Sequence, residues 1–229
     1  MSFELLERGV AALGPLTDAV VFVGGATLVL WITDPAAPSP RPTLDVDVIV
    51  EVTSRRELRA FDASLRGRGF REDVHGGVIA RWRHGEQLVL DAIPADASLL
   101  GFENRWQRAA LPHALRIELP SGASLRAVSP PYLLATKLEA FAGRGGGDLL
   151  GSRDLADVLS LVDGREELVA EFAAASAAVR RFVTADLDGL LKLPRFKEAV
   201  FGSLPPDAAS QDRAEAIVLP RLRALIAAG

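Results

Sequence analysis

Alternation of apolar and polar positions is strongest between Leu44 and Val52. There LDVDVIVEV sets Val46, Val48, Val50 and Val52 on one side of an extended chain and Asp45, Asp47, Ile49 and Glu51 on the other. This is the clearest predicted strand. Upstream, residues 3–13 carry a short amphipathic helical pattern. AVVFV (19–23) is β-branched and stops at Gly24-Gly25, which predicts a strand and a turn. ATLVLWITD (26–34) predicts a helix, with Leu28, Trp31 and Ile32 at helical spacing. The stretch TDPAAPSPRPT then holds four prolines and predicts a stiff, extended loop.

Ser54 with Glu57 three residues on predicts a capping box that opens a helix running to about Arg68. GFRED, VIARWR and QLVLDAI predict three short strands, with turns at His75-Gly76-Gly77 and His84-Gly85-Glu86. HALRIEL and ASLRAV predict a hairpin across Pro120-Ser121-Gly122. From Ser129 onward the pattern is helical, over 129–142, 150–162, 166–192, 195–203 and 207–227, with a glycine-rich joint at GRGGGD (143–148). The expected fold class is α+β, or α/β with a helical C-terminal domain, divided at 1–128 and 129–229.

Composition narrows the classes. Hydrophobic residues make up 49% and charged residues 24%, as in soluble globular chains. The longest nearly apolar run, 19–32, has 14 residues, too few to span a bilayer. The opening MSFELLERGV has no secretory pattern and there is no cysteine, so a cytoplasmic protein without disulfides or thiolate metal sites is expected. The net charge of −4 supplies no long-range basic field for nucleic acid, although arginines cluster at RGRGFR, RWR and Arg180-Arg181. With 23 arginines and three lysines, a retained lysine marks a place for a compact ammonium.

Asp45 and Asp47 lie one strand repeat apart and project side by side. Their like charges repel and raise one pKa unless a cation sits between them, and Mg²⁺ (or Mn²⁺) suits an all-oxygen site. An edge strand with one solvated face accounts for the same pattern without function. Asp91 ends the otherwise apolar LVLDAIP strand, and three aspartates on neighbouring strands are able to hold two metal ions; alone, Asp91 reads as a strand-end cap. Gly24-Gly25 between a strand and a helix lets phosphates approach exposed N–H groups, or makes only a tight turn. No Walker A, GxGxxG, Gly-x-Ser-x-Gly or His-Glu-x-x-His motif is present.

Lys137 falls inside the apolar arc of its helix, between Leu133 and Phe141. In the next helix Asp154 lies within the apolar arc and Asp157 at its edge. One reading is a buried Lys137–Asp154 pair that ties two helices together. The other places Lys137 on a triphosphate, with Asp154 orienting it or engaging substrate. His75, His84 and His113 share no ligand spacing, and Trp31, Trp82 and Trp106 read as core or rim.

Gly24-Gly25, a helix, Thr43-x-Asp45-x-Asp47 on a strand and Asp91 ending another strand together resemble the polymerase-β-like nucleotidyltransferase superfamily. Lys137-Leu138, followed by Arg153-Asp154-x-x-Asp157, looks like the nucleotidyltransferase toxins of the abortive-infection AbiEii/AbiGii type. The resemblance covers roughly residues 19–165. It implies a nucleotidyltransferase-like mixed sheet flanked by helices, then an α-helical C-terminal region. It implies an NTP substrate with Mg²⁺, an RNA acceptor such as the tRNA 3′ end, and a separately encoded antitoxin. By position, Asp45 and Asp47 match the metal pair and Asp91 completes the metal site or acts as general base. Gly24, Gly25, Thr43, Lys137 and Asp154 match nucleotide-binding positions, and Thr43 the hydroxyl residue that is phosphorylated in some members. The loop at 33–42 is longer than the family often has. Transfer to a protein or to a small molecule such as an antibiotic, and a non-catalytic nucleotide- or antitoxin-binding module, are the alternatives.

Overall fold

The valine run that follows Asp45 is buried throughout and forms the middle strand of a seven-stranded sheet. A computed structural model of the chain describes residues 2–74, 80–96, 99, 104–144 and 147–229. Among them the first half runs α1 (Glu4–Leu13), β1 (Val20–Val23), α2 (Leu28–Trp31), β2 (Asp45–Val50), α3 (Arg55–Gly67), β3 (Arg71–Glu72), β4 (Arg81–His84), β5 (Leu88–Pro94), α4 (Arg105–Ala110), β6 (Leu115–Glu118) and β7 (Ser124–Ala127). The second half is helical: α5 (Pro130–Arg144), α6 (Arg153–Gly164), α7 (Leu168–Ala173), α8 (Ala177–Leu191), α9 (Phe196–Gly202), α10 (Ala208–Arg213) and α11 (Leu219–Ala227). The class is α+β. No helix among the described residues is long and apolar enough to cross a membrane.

The described chain divides into two compact units. One comprises Met1–Leu30 and Pro42–Ser129, the other Trp31–Arg41 and Pro130–Gly229. The proline-rich stretch therefore groups with the helices, not with the sheet that flanks it in sequence.

In the sheet unit the strand order is β3-β4-β5-β2-β1-β7-β6. β2 pairs parallel with β5 and antiparallel with β1, so the sheet is mixed. An edge position for the Asp45–Asp47 strand is thus overturned: β2 has three strands on either side. Its valine side meets α1. A Cβ on Gly9 of α1 would lie 3.6 Å from both Val46 methyls and from the Phe22 ring, ordinary contact distance, so α1 packs directly on these strands. α3 begins as the capping box predicts, with Ser54 Oγ accepting from the Glu57 N–H and Glu57 Oε2 accepting from the Ser54 N–H. Two local expectations change. The helix expected over 26–34 shrinks to a 3-10 turn and the single turn of α2. α4, which no apolar period announced, is capped by Asn104, whose Oδ1 accepts from the Trp106 N–H. The His75 turn and the start of VIARWR lie outside the described residues.

In the helical unit the Thr33 and Asp34 N–H groups both donate to the Gly164 carbonyl at the end of α6, which fixes the chain just beyond α2. The helix expected over 166–192 is two helices, because Ser176 leaves helical geometry and its hydroxyl caps Val179. The pattern over 207–227 stays helical but widens to a π turn at Ala214–Val218. That wider turn precedes Pro220, whose ring and missing N–H do not fit a regular helix interior.

Arg213 anchors the proline-rich stretch. Its guanidinium donates to Asp34 at 2.7 Å and to Asp163 at 3.0 Å. The bond from Arg213 holds the Asp34 carboxyl below its ordinary value, whereas burial pushes Asp163 up against the pull of Arg213. Arg213→Met removes that pull, so Asp163 rises further. A carboxyl whose folded pKa exceeds its unfolded value of about 3.9 stabilises the fold below that value, and the contribution is lost as pH rises through the folded pKa. Asp34 remains ionised across the neutral range. Urea denaturation is expected to find the variant about 3 kcal/mol less stable at pH 8 and to find part of that deficit recovered at pH 5. A deficit equal at both pH values would contradict this assignment.

Candidate active site

Parallel pairing of β2 with β5 sets Asp47 directly beside Asp91, and Asp45 beside Val89. Residues level with one another on paired strands project to the same face. The three aspartates therefore share one face, opposite the valines that meet α1. Val46 and Val48 are fully buried and hold the strand; Asp45 is partly open, and Asp91 is nearly buried.

Gly24 follows β1, whose last residue Val23 pairs with Asp47. Its backbone has φ +80°, in the left-handed region, and a Cβ there would overlap the Asp47 carboxylate. Glycine at this position is required by the approach of Asp47 as well as by the turn. Thr27 closes the turn, its buried hydroxyl donating to the Gly24 carbonyl at 2.8 Å. Thr43 stands ahead of the strand and donates from Oγ1 to Asp45 Oδ1 at 2.8 Å. Gly24, Thr43, Asp45, Asp47 and Asp91 are thus gathered in one place within the sheet unit.

Arg81 completes this group and was not singled out from sequence. On β4 it lies directly across from Asp91. Its Nε and Nη2 donate to the two oxygens of Asp91 at 2.8 and 2.7 Å, and Nη2 also donates to Asp45 Oδ2 at 2.9 Å. The Asp91 bond, helped by the charges of Asp45 and Asp47, holds the guanidinium even more firmly protonated than usual. A signal for it exists: Arg81 and Arg83 alternate with buried Trp82, so both leave the core side together. Arg83 pairs with Asp73 instead.

Lys137 and Asp154 belong to the helical unit. Lys137 on α5 is 9% exposed, and its Nζ lies 3.1 Å from Asp154 and 2.6 Å from Asp157 on α6. The buried pair weighed from sequence is therefore present, but Asp157 is its stronger half. Asp157 is 1% exposed and also accepts a two-pronged bond from Arg41, at 2.8 and 3.0 Å. Sequence placed Asp157 only at the edge of the apolar arc and gave Arg41 no partner. The contact is legible only once residues 31–41 are known to lie with the helices.

Three carboxylates and a hydroxyl form a hard, all-oxygen donor set, which fits Mg²⁺ or Mn²⁺ rather than a softer ion. Asp45 and Asp47 lie on β2 and Asp91 on the neighbouring β5, with Thr43 just ahead of β2. Among the described residues, however, no three His, Asp or Glu side chains converge in an arrangement able to hold a metal ion. The Arg81 guanidinium pairs with both Asp45 and Asp91.

The family model described as nucleotidyl transferase AbiEii toxin, Type IV TA system, matches residues 4–225 of the 229. No curated protein matches the chain.

Proposed function

The chain belongs to the AbiEii nucleotidyl transferase toxins of type IV toxin–antitoxin systems, and we propose that it moves a nucleotide from an NTP to an acceptor hydroxyl on RNA, the tRNA 3′ end being the leading candidate. The observation that carries this reading is the register of Asp47 with Asp91 on paired strands, with Asp45 one repeat away on the same face. In the reaction the acceptor oxygen bonds to the α-phosphorus. The bond from that phosphorus to the α–β bridging oxygen breaks, pyrophosphate leaves, and the hydroxyl proton passes to a base.

Asp45, Asp47 and Asp91 are the residues that hold Mg²⁺ or Mn²⁺ in this reading. The cation supplies Lewis-acid stabilisation of the charge that develops on the transferred phosphoryl group and on pyrophosphate. Thr43 keeps Asp45 oriented through its 2.8 Å bond. Gly24 gives Asp47 room, and the Gly24-Gly25 backbone offers a surface that phosphate can approach. Asp91 serves here as a metal ligand, since it stands level with Asp47 on the neighbouring strand. Lys137 and Asp154 enter as nucleotide-binding residues, and Lys137 must then exchange part of its pairing for phosphate. An antitoxin is the expected protein partner.

The test is to incubate the protein with α-³²P-labelled NTPs and, separately, total RNA, lysate proteins and aminoglycosides. Label is expected in RNA. Label in protein or aminoglycoside alone overturns the RNA acceptor and keeps nucleotidyl transfer; label in none overturns the reading.

A further inference from the structure

We propose that Arg81 is the internal counter-cation of the aspartate triad, holding the space between Asp45 and Asp91 and setting how tightly a divalent cation binds there. This rests on the reading of Asp45, Asp47 and Asp91 as a metal site. Three features of the sheet unit support it. First, one atom does the bridging: Nη2 donates to Asp45 at 2.9 Å and to Asp91 at 2.7 Å, where a shared cation would bind. Second, the position is enforced, because antiparallel pairing of β4 with β5 puts Arg81 directly across from Asp91. Third, the grip is unequal. Asp91 accepts two bonds in the side-on geometry that suits a guanidinium, whereas Asp45 accepts one.

The unequal grip predicts the order of events. The single Asp45 bond opens while the guanidinium stays on Asp91, and Asp45 turns to the incoming ion with Thr43 still on its other oxygen. The Arg81 side chain is 21% exposed, so the pair is not sealed from water. Metal binding then competes with an ion pair already in place, and the triad avoids like-charge repulsion when metal is scarce.

Binding of Mn²⁺ alone, followed by calorimetry and by the loss of the free-ion electron paramagnetic resonance signal, tests this without substrate. Arg81→Gln is expected to bind Mn²⁺ roughly 10- to 100-fold tighter than the unaltered chain, the range over which neighbours of metal ligands act. Arg81→Lys keeps the charge but loses the fork, and is expected between the two. In chelator, Arg81→Gln should melt below the unaltered chain, and Mn²⁺ should restore it. Asp45→Asn abolishes binding in either background. Equal or weaker binding by folded Arg81→Gln and Arg81→Lys, with Asp45→Asn still abolishing it, overturns the role of Arg81 and leaves the site reading intact. Absence of binding in every form overturns both.

Discussion

Asp45→Asn is expected to lower transfer of label from an α-³²P-NTP to RNA by about 10³-fold while leaving the far-ultraviolet circular dichroism spectrum unchanged. The magnitude follows from the several kcal/mol that a metal ion contributes to phosphoryl chemistry, at 1.36 kcal/mol for each factor of ten. Asparagine keeps the shape and the bond to Thr43 but loses the charge that holds a cation. The fold is spared because β2 is secured by its valine side and by pairing on both flanks, not by Asp45. Removing one of three neighbouring carboxylates also relieves repulsion, which offsets the weakened Arg81 contact. Transfer within threefold of the unaltered chain would sink the site assignment.

Asp157→Ala is expected to do the reverse, costing about 3–5 kcal/mol of stability, the penalty for breaking a buried ion pair from one side. Asp157 accepts from Arg41 with both oxygens and lies 2.6 Å from Lys137. Without it, two cations share Asp154 or face a buried cavity, and Arg41 loses the anchor that holds the end of the proline-rich stretch against α6. Urea denaturation followed by circular dichroism measures the loss. Glu198→Ala is the control, since it removes a partner from an exposed pair that contributes little. A midpoint shift no larger than that of the control would show that the network is dispensable.

What could be read from the sequence depended on how local the cause was. The face shared by Asp45 and Asp47 follows from a period of two, and the start of α3 from four residues around Ser54, so both were legible. The alignment of Asp91 with Asp47 requires knowing that β2 and β5 are parallel neighbours although α3, β3 and β4 separate them in the chain. Arg81 was hidden for the same reason: an arginine beside a tryptophan in a short strand looks solvated until its cross-strand partner is known. The break at Ser176 was masked by alanines on both sides, which favour helix regardless of tertiary context. Lys137 was legible as an anomaly because a charge interrupted an apolar arc, whereas Arg41, in a stretch without periodicity, offered no such contrast.

The grouping of residues 31–41 with the helices has a consequence for biosynthesis. Asp34 and Arg213 are 179 residues apart, and Arg41 and Asp157 are 116 apart. At about 5–20 residues per second, Arg213 leaves the ribosome roughly 10–35 s after Asp34. Every strand of the sheet has been translated by then, including the one that begins at Asp45. The stretch leading into that strand still waits for its clamp. A nascent chain thus carries its aspartates early, whereas the contact between Arg213 and Asp34 forms only when α10 is made.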